Sequence, residues 1–176
     1  MTKINSKSKG NRFERTICKV FQDWTGYEFS RTPQSGGLRW KKADNISSDV
    51  ICTDPKHSRR FRFSIECKSY QELNFESILL NRKACKILKF WNQATSDSKR
   101  AGKLPLLIMK YNGMPKNEAF LAVDPFVSSI IMKASTKPLE TTMIINTKSV
   151  KLTIFMLSEV TKLVDYKTLH KLAKNL

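Results

Sequence analysis

The chain has 176 residues, of which 32 are Lys or Arg and 15 are Asp or Glu, so its formal net charge is +17. A chain of this length is long enough to form one domain with its own core, without disulfides or a structural metal. The sequence contains no apolar run near the ~20 residues of a membrane span, and no signal-peptide pattern at its start. Its four cysteines (Cys18, Cys52, Cys67 and Cys85) are far apart and lack the close pairs of zinc and redox motifs. We therefore expect a cytoplasmic α/β protein that makes no contact with membranes.

The strong positive charge indicates an anionic partner, and nucleic acid is the commonest such partner of a basic domain. All nine arginines lie between Arg12 and Arg100. Because guanidinium groups bind phosphate in a fork-like geometry, we expect this part of the chain to carry the anion-binding face. The basic residues that we expect to contact nucleic acid are Arg12, Arg15, Arg39, Lys56, Arg59, Arg60 and Arg62.

The first predicted element is an amphipathic helix over residues 11–24, preceded by a basic arm over residues 1–10. Phe13, Ile17, Phe21 and Trp24 fall on one stripe at helical spacing. Glu14 lies on the flank of that stripe, at the edge of what the helix would bury. A loop over residues 31–37 follows, because its proline and paired glycines break regular structure.

Two short strands are predicted next, over residues 49–52 and 61–68, joined as a hairpin by a basic turn at residues 54–60. A long helix over residues 77–100 and buried strands over residues 104–109 and 119–123 follow. Residues 143–145 and 150–156 indicate a further hairpin, and a closing helix is predicted after Asp165.

The order of these elements predicts a mixed β-sheet flanked by helices, with an α-β-β-α-β-β core. We expect three parts: the basic arm (1–10), a core (11–125) and a C-terminal α+β appendage packed on it (126–176).

The segment Glu66-Cys67-Lys68 is the strongest candidate for chemistry. Three other acid-x-Lys matches have structural explanations, namely a turn at Asp54, a solvent-facing helix end at Asp97 and a helix N-cap at Asp165. Glu66 and Lys68 end a largely apolar strand and must point to the same side of it. Pairing with the preceding strand would bring the Asp49 carboxylate beside Glu66.

Two carboxylates and an ammonium at the ends of buried strands are costly unless they have partners or a task. Asp49, Glu66 and the backbone carbonyl of Cys67 are oxygen ligands of the kind that Mg²⁺ prefers. Lys68 would orient or deprotonate a water that attacks a phosphodiester. The alternative interpretation is a salt bridge between Glu66 and Lys68 on the surface or on an edge strand.

These residues resemble the PD-(D/E)xK nuclease superfamily, which places such carboxylates and a lysine on two neighbouring strands. Four segments are similar, more narrowly, to archaeal and phage Holliday-junction resolvases: residues 10–15 (Gly-Asn-Arg-Phe-Glu-Arg), 31–37 (Arg-Thr-Pro-Gln-Ser-Gly-Gly), 48–50 (Ser-Asp-Val) and 65–69 (Ile-Glu-Cys-Lys-Ser). One departure is that Ser48 replaces the proline of the superfamily's name-giving motif. Residues 126–176 have no counterpart in the compact resolvases.

The resemblance implies a restriction-endonuclease-like fold and DNA cleavage that depends on Mg²⁺, with Mn²⁺ as a substitute. It implies that Asp49, Glu66 and Lys68 are catalytic and that Glu14 helps to hold the metal. Arg31 and Ser35 would act on the DNA backbone from a mobile loop. Gln93 lies where related nucleases carry a glutamine near the site. The setting would be a prokaryotic or phage-infected cell.

The favoured function is therefore a metal-dependent endonuclease for branched or nicked DNA, most similar to a Holliday-junction resolvase. Two alternatives remain: a nicking or restriction-like endonuclease for duplex DNA, and a non-catalytic nucleic-acid-binding protein on a nuclease scaffold. Symmetric cutting of a junction requires two active sites, so we expect a homodimer.

Overall fold

The computed structural model describes residues 6–32, 48–80, 82 and 85–174. The described helices are α1 (Ser6–Thr25), α2 (Glu76–Leu79), α3 (Lys86–Arg100), α4 (Pro125–Ala134), α5 (Leu157–Leu163) and α6 (Tyr166–Ala173). The strands are β1 (Phe29–Arg31), β2 (Val50–Cys52), β3 (Phe63–Tyr70), β4 (Leu104–Tyr111), β5 (Phe120–Val123), β6 (Thr142–Asn146) and β7 (Lys151–Met156).

The strands form one seven-stranded mixed sheet in the order β1-β2-β3-β4-β5-β7-β6. Strands β3 and β4 are parallel, and every other neighbouring pair is antiparallel. A parallel pair needs a crossover, which α2 and α3 provide. The predicted hairpin of β2 and β3 is confirmed by the pairing of Val50 with Ile65.

Side chains alternate between two buried layers along the central strands, as the period of two requires. On β3, Phe63, Ile65 and Cys67 join the larger core, which includes side chains of α1, α4, α5 and α6. Leu107 and Met109 of β4 belong to the second core with α3 on the other face. The sheet is therefore covered by helices on both sides.

Two helical predictions differ from the structure. Helix α1 begins at Ser6, so half of the predicted basic arm is helical, and it ends before Gly26, whose φ of 74° fits a left-handed helix terminus. The predicted helix over residues 77–100 is interrupted, because α2 ends at Leu79 and α3 begins at Lys86. Strand β1 was not predicted, and it places Arg31 in the sheet, where a loop was expected.

The C-terminal third belongs to the same sheet and core as the rest of the chain. Strand β7 pairs with β5, and β6 forms the edge. The expected boundary at residue 125 is the first residue of α4, which was not predicted. Phe155, Val160 and Leu169 lie in the same core cluster as Phe13 of α1. Residues after 125 thus complete the sheet and one of its helical layers.

Candidate active site

Glu66 and Lys68 lie on the inner strand β3, between β2 and β4. Their charged groups meet, with Lys68 Nζ 2.5 Å from Glu66 Oε1. Glu66 is only 2% exposed. The alternative interpretation is therefore right about the salt bridge and wrong about its location, because Glu66 is buried within the sheet layer that α3 covers. The ion pair is poorly aligned for a hydrogen bond, so Glu66 Oε1 is buried without one.

Asp49 is fixed at the entrance to β2 by contacts with both neighbouring strands. Its backbone N–H donates to the Ile65 carbonyl at 3.0 Å, and its carbonyl accepts from Thr32 at 3.0 Å. Its side chain Oδ2 accepts from the backbone N–H of Cys67 at 2.9 Å. These bonds hold the Asp49 carboxylate against the segment that carries Glu66 and Lys68, as the hairpin predicted.

The negative charges of Asp49 and Glu66 repel each other. The pKa of Glu66 is raised from 4.5 to about 7, chiefly by burial and then by the negative charge of Asp49. The ammonium of Lys68 opposes these effects without cancelling them. Near neutral pH, Glu66 is therefore poised between its protonated and ionised forms.

Glu14 reaches the same region from α1. It is buried, and its carboxylate accepts from Arg31 Nε at 2.5 Å, while Arg31 Nη2 donates to Asn11 Oδ1 at 2.7 Å. Burial raises the pKa of the Cys67 thiol well above its ordinary value, and the charges of Asp49, Glu14 and Glu66 raise it further. The negative charges of three carboxylates are therefore felt at Cys67, and that of Glu14 is paired with Arg31.

The donors suit a divalent cation bound by two carboxylates and a carbonyl. In the described part of the chain, no three His, Cys, Asp or Glu side chains are grouped as a metal site. Two acidic groups, Asp49 and Glu66, do converge, and Glu66 has an oxygen without a hydrogen bond. In a β-strand, the backbone N–H and C=O of one residue point to the same side of the strand, so that opposite residues of an antiparallel pair can exchange two hydrogen bonds. Because the Cys67 N–H donates to Asp49, the Cys67 carbonyl also points to the Asp49 side of β3.

Three polar residues near the site were missed by sequence reasoning. Ser48 Oγ and Ser64 Oγ are 2.7 Å apart and buried, so Ser48 ties β2 to β3 in place of the superfamily's proline. Asp97 was expected to face solvent, which is wrong: it is 8% exposed, and its charge adds to the rise in the pKa of Glu66. It also pairs with Arg100. The position of Asp97 beside the apolar stripe of α3 is the sequence signal that could have revealed its burial.

The predicted DNA-binding residues fall in different regions of the structure. Arg12 and Arg15 are exposed on α1, and Lys56, Arg59 and Arg60 are exposed in the β2–β3 connection. That connection lies at the opposite end of the hairpin from Asp49, because Cys52 precedes it and pairs with Phe29, whereas Val50 pairs with Arg31.

The roles of three other candidates stay predictions. Ser35 and Arg39 lie outside the described residues. Gln93 is exposed on α3. Phe90, one turn before it, lies near the site, with its ring centroid 5.8 Å from Lys68 Nζ.

A mixed sheet flanked by helices, with an acidic residue at one strand and Glu-x-Lys on the next, defines the PD-(D/E)xK nuclease superfamily and its restriction-endonuclease-like fold. The family described as "Phage putative PDDEXK endonuclease" matches residues 5–171, and this chain belongs to it. Its nuclease class follows from that membership.

Among curated proteins, the chain is similar to Protein D14 of Escherichia phage T5. The two are 24% identical over 151 residues, which cover 86% of this chain and 88% of that protein. No solved structure matches the chain. No helix among the described residues is long and apolar enough to cross a membrane. Members of the superfamily generally use divalent metals, as the carboxylate pair suggests.

Proposed function

We propose that this protein is a Mg²⁺-dependent endonuclease that cuts branched DNA at the site formed by Asp49, Glu66 and Lys68. The observation that carries the proposal is Glu66 itself. It is a nearly fully buried carboxylate whose pKa is raised to about 7 by burial and then by the Asp49 charge. A divalent cation between the two carboxylates would offset their repulsion.

Asp49, Glu66 and the carbonyl of Cys67 would hold Mg²⁺, and Mn²⁺ would substitute for it. The bound cation would supply Lewis-acid stabilisation of the scissile phosphate and of the leaving oxygen. Lys68, 2.5 Å from Glu66, would orient the attacking water as an ammonium, or would take a proton from that water in its neutral amine form. Arg31 would hold the Glu14 carboxylate in position near the metal site, and Glu14 would serve as an additional ligand of the metal.

The proposed substrate is DNA with a branch or a nick, most simply a four-way junction. The support is the net charge of +17 and the similarity of segments 10–15, 31–37 and 65–69 to resolvases. Ser35 and Arg39, with Arg12 and Arg15, would contact the DNA backbone near the cut. Gln93 would be a neighbour of the site that approaches bound DNA.

Two further proposals concern assembly and location. A homodimer would supply the two active sites that symmetric junction cutting requires. Light scattering coupled to gel filtration would measure its mass, and a monomer both with and without junction DNA would refute it. Similarity to a phage protein supports action in the cytoplasm of a phage-infected cell.

The deciding experiment compares Mg²⁺ with EDTA on supercoiled plasmid, four-way junction, nicked circle and linear duplex. We expect cleavage with Mg²⁺ and none with EDTA, and we expect the highest cleavage rate on the four-way junction. Glu66→Gln should abolish cleavage while DNA binding survives, because the basic surface is unchanged. Glu72→Gln, an exposed glutamate just beyond β3, is the matched control and should cut normally.

Each alternative predicts its own pattern in these assays. Equal rates on duplex and junction would favour a nicking or restriction-like enzyme. Tight binding without cleavage in any metal would favour a non-catalytic DNA-binding protein. Cleavage in EDTA, or full activity of Glu66→Gln, would refute the assigned site.

A further inference from the structure

A second cationic site lies away from the carboxylates, where the β2–β3 connection meets α6. Its members, which we call the basic cluster, are His57, Arg60, Arg62, His170 and Lys174. Burial lowers the pKa of His170, and the charges of Lys174, His57, Arg62 and Arg60 lower it further. Four basic groups from two distant segments of the chain therefore lie near enough to act on His170.

Within the basic cluster, His57 has an acidic partner in Asp54, whereas Arg60, Arg62, His170 and Lys174 take part in no ion pair of the described residues, and two buried nitrogens are left unsatisfied. Arg62 Nε and His170 Nδ1 are buried with no hydrogen-bond partner. A buried polar group without a partner is unfavourable, and so is the mutual repulsion of cations. An anion with several acceptor oxygens would relieve both.

Aromatic contacts hold the two imidazoles of the basic cluster in place. The Tyr27 ring stacks on His57 with centroids 3.9 Å apart, and Asp54 Oδ1 lies 2.7 Å from His57 Nδ1. The Tyr166 ring packs against His170 at 5.7 Å and edge-on against Tyr27 at 5.4 Å. The site is therefore built on a rigid base, unlike lysines scattered over a surface.

The distance to the carboxylates fits one continuous DNA substrate. Arg62 precedes Glu66 by four residues, which in an extended strand corresponds to ~13 Å. At 3.4 Å per base pair, this spans roughly four base pairs of a duplex arm. A phosphate at the basic cluster could thus belong to the same duplex arm as the scissile phosphate.

We propose that the basic cluster is a phosphate-binding anchor that grips the DNA backbone about four base pairs from the cut. This inference rests on the proposed function for its ligand. It gives the C-terminal helix α6 a role in substrate binding, through His170 and Lys174. The ligand chemistry is a phosphate oxygen, and a free phosphate ion is the competing source.

The test measures DNA affinity in EDTA, where no cleavage occurs, with a labelled 24-base-pair duplex over a range of salt concentrations. Arg60→Gln with Lys174→Gln removes two exposed charges from the basic cluster. Lys148→Gln with Lys151→Gln removes two exposed charges near the distant β6–β7 edge. We expect the first pair to weaken binding at least about tenfold and the control pair less than about twofold. The salt slope should fall by ~0.9 for each phosphate that the variant no longer neutralises.

A second measurement follows the His170 ring signals by NMR during titration with duplex DNA or with inorganic phosphate. Movement with DNA, together with the affinity loss, would establish the anchor. Movement with inorganic phosphate while Arg60→Gln with Lys174→Gln binds DNA normally would overturn it in favour of a free-anion site. Equal losses in the two double variants would also overturn it. Because affinity is read without metal, failure of the wild type to cut DNA would refute the proposed function separately.

Discussion

Replacing Glu66 by Gln should make the metal-free protein more stable at neutral and alkaline pH. The folded protein raises the pKa of Glu66 from 4.5 to about 7, chiefly through burial and then through the Asp49 charge. The folded state therefore binds this proton more tightly than the unfolded state does. Stability conferred by the neutral carboxyl is fully present below pH 4.5 and is lost as pH rises towards 7.

The size of the effect follows from the two pKa values. Each unit of difference corresponds to about 1.4 kcal/mol, so ionising Glu66 costs about 3 kcal/mol of folding free energy above pH 7. Gln has nearly the same shape and no charge to desolvate. For a chain of this size the difference corresponds to ~6–12 °C in melting temperature.

The assay is thermal unfolding in EDTA at pH values from 4 to 9, for the wild type, Glu66→Gln and the exposed control Glu72→Gln. The gain in melting temperature of Glu66→Gln should be small at pH 4, grow between pH 4.5 and 7, and then stay constant. Mg²⁺ should stabilise the wild type and not the variant. A variant that is less stable than the wild type at pH 8, or a gap that does not change with pH, would refute the reasoning.

Three further outcomes are expected. Asp49→Asn should lower the pKa of Glu66, followed by carboxyl NMR, but not to 4.5, because burial is the larger cause; an unchanged titration would show that the two groups are not coupled. Gly10→Ala should stabilise α1 by about 1 kcal/mol, because alanine has a higher helix propensity than glycine and the new Cβ would fit, 3.9 Å from Glu14 Oε1. Gly26→Ala should destabilise the protein, because the φ of Gly26 is +74°. Equal shifts in melting temperature for the two variants would contradict this reasoning. Asp124→Ala should cost about 1 kcal/mol in denaturant unfolding, because its side chain accepts from Val127 N–H at the start of α4.

Local patterns in the sequence were sufficient for the strands that carry the site. Alternation along residues 61–68 placed Glu66 and Lys68 on one face, and the ion pair confirms it. The cap at Asp165 was equally local, since its carboxylate accepts from Thr168 N–H at the start of α6. Such features depend on neighbours within a few residues, and therefore the sequence displays them directly.

Other features depend on partners that are distant in the sequence. Strand β1 has three residues, too few for any periodic pattern, and it exists because it pairs with β2. The burial of Asp97 results from the packing of α3 against the sheet, whereas its place near the end of the predicted helix indicated a solvent-facing residue. Helix α4 could have been predicted, because Asp124-Pro125 is an N-cap followed by a favourable first residue.

Burial and charge repulsion, which set the pKa of Glu66, also explain why the site lowers the stability of the fold. An inner strand of a sheet covered on both faces favours apolar side chains, and Ile65 on β3 is fully buried. Glu66, the next residue, breaks this rule, and Asp49 is held by hydrogen bonds where its charge increases the cost. A structural role would favour separating the carboxylates or giving each its own cation, as Arg31 does for Glu14. The arrangement instead concentrates negative charge beside a single ammonium, which is unfavourable in the free protein and would become favourable with the divalent cation that we propose there.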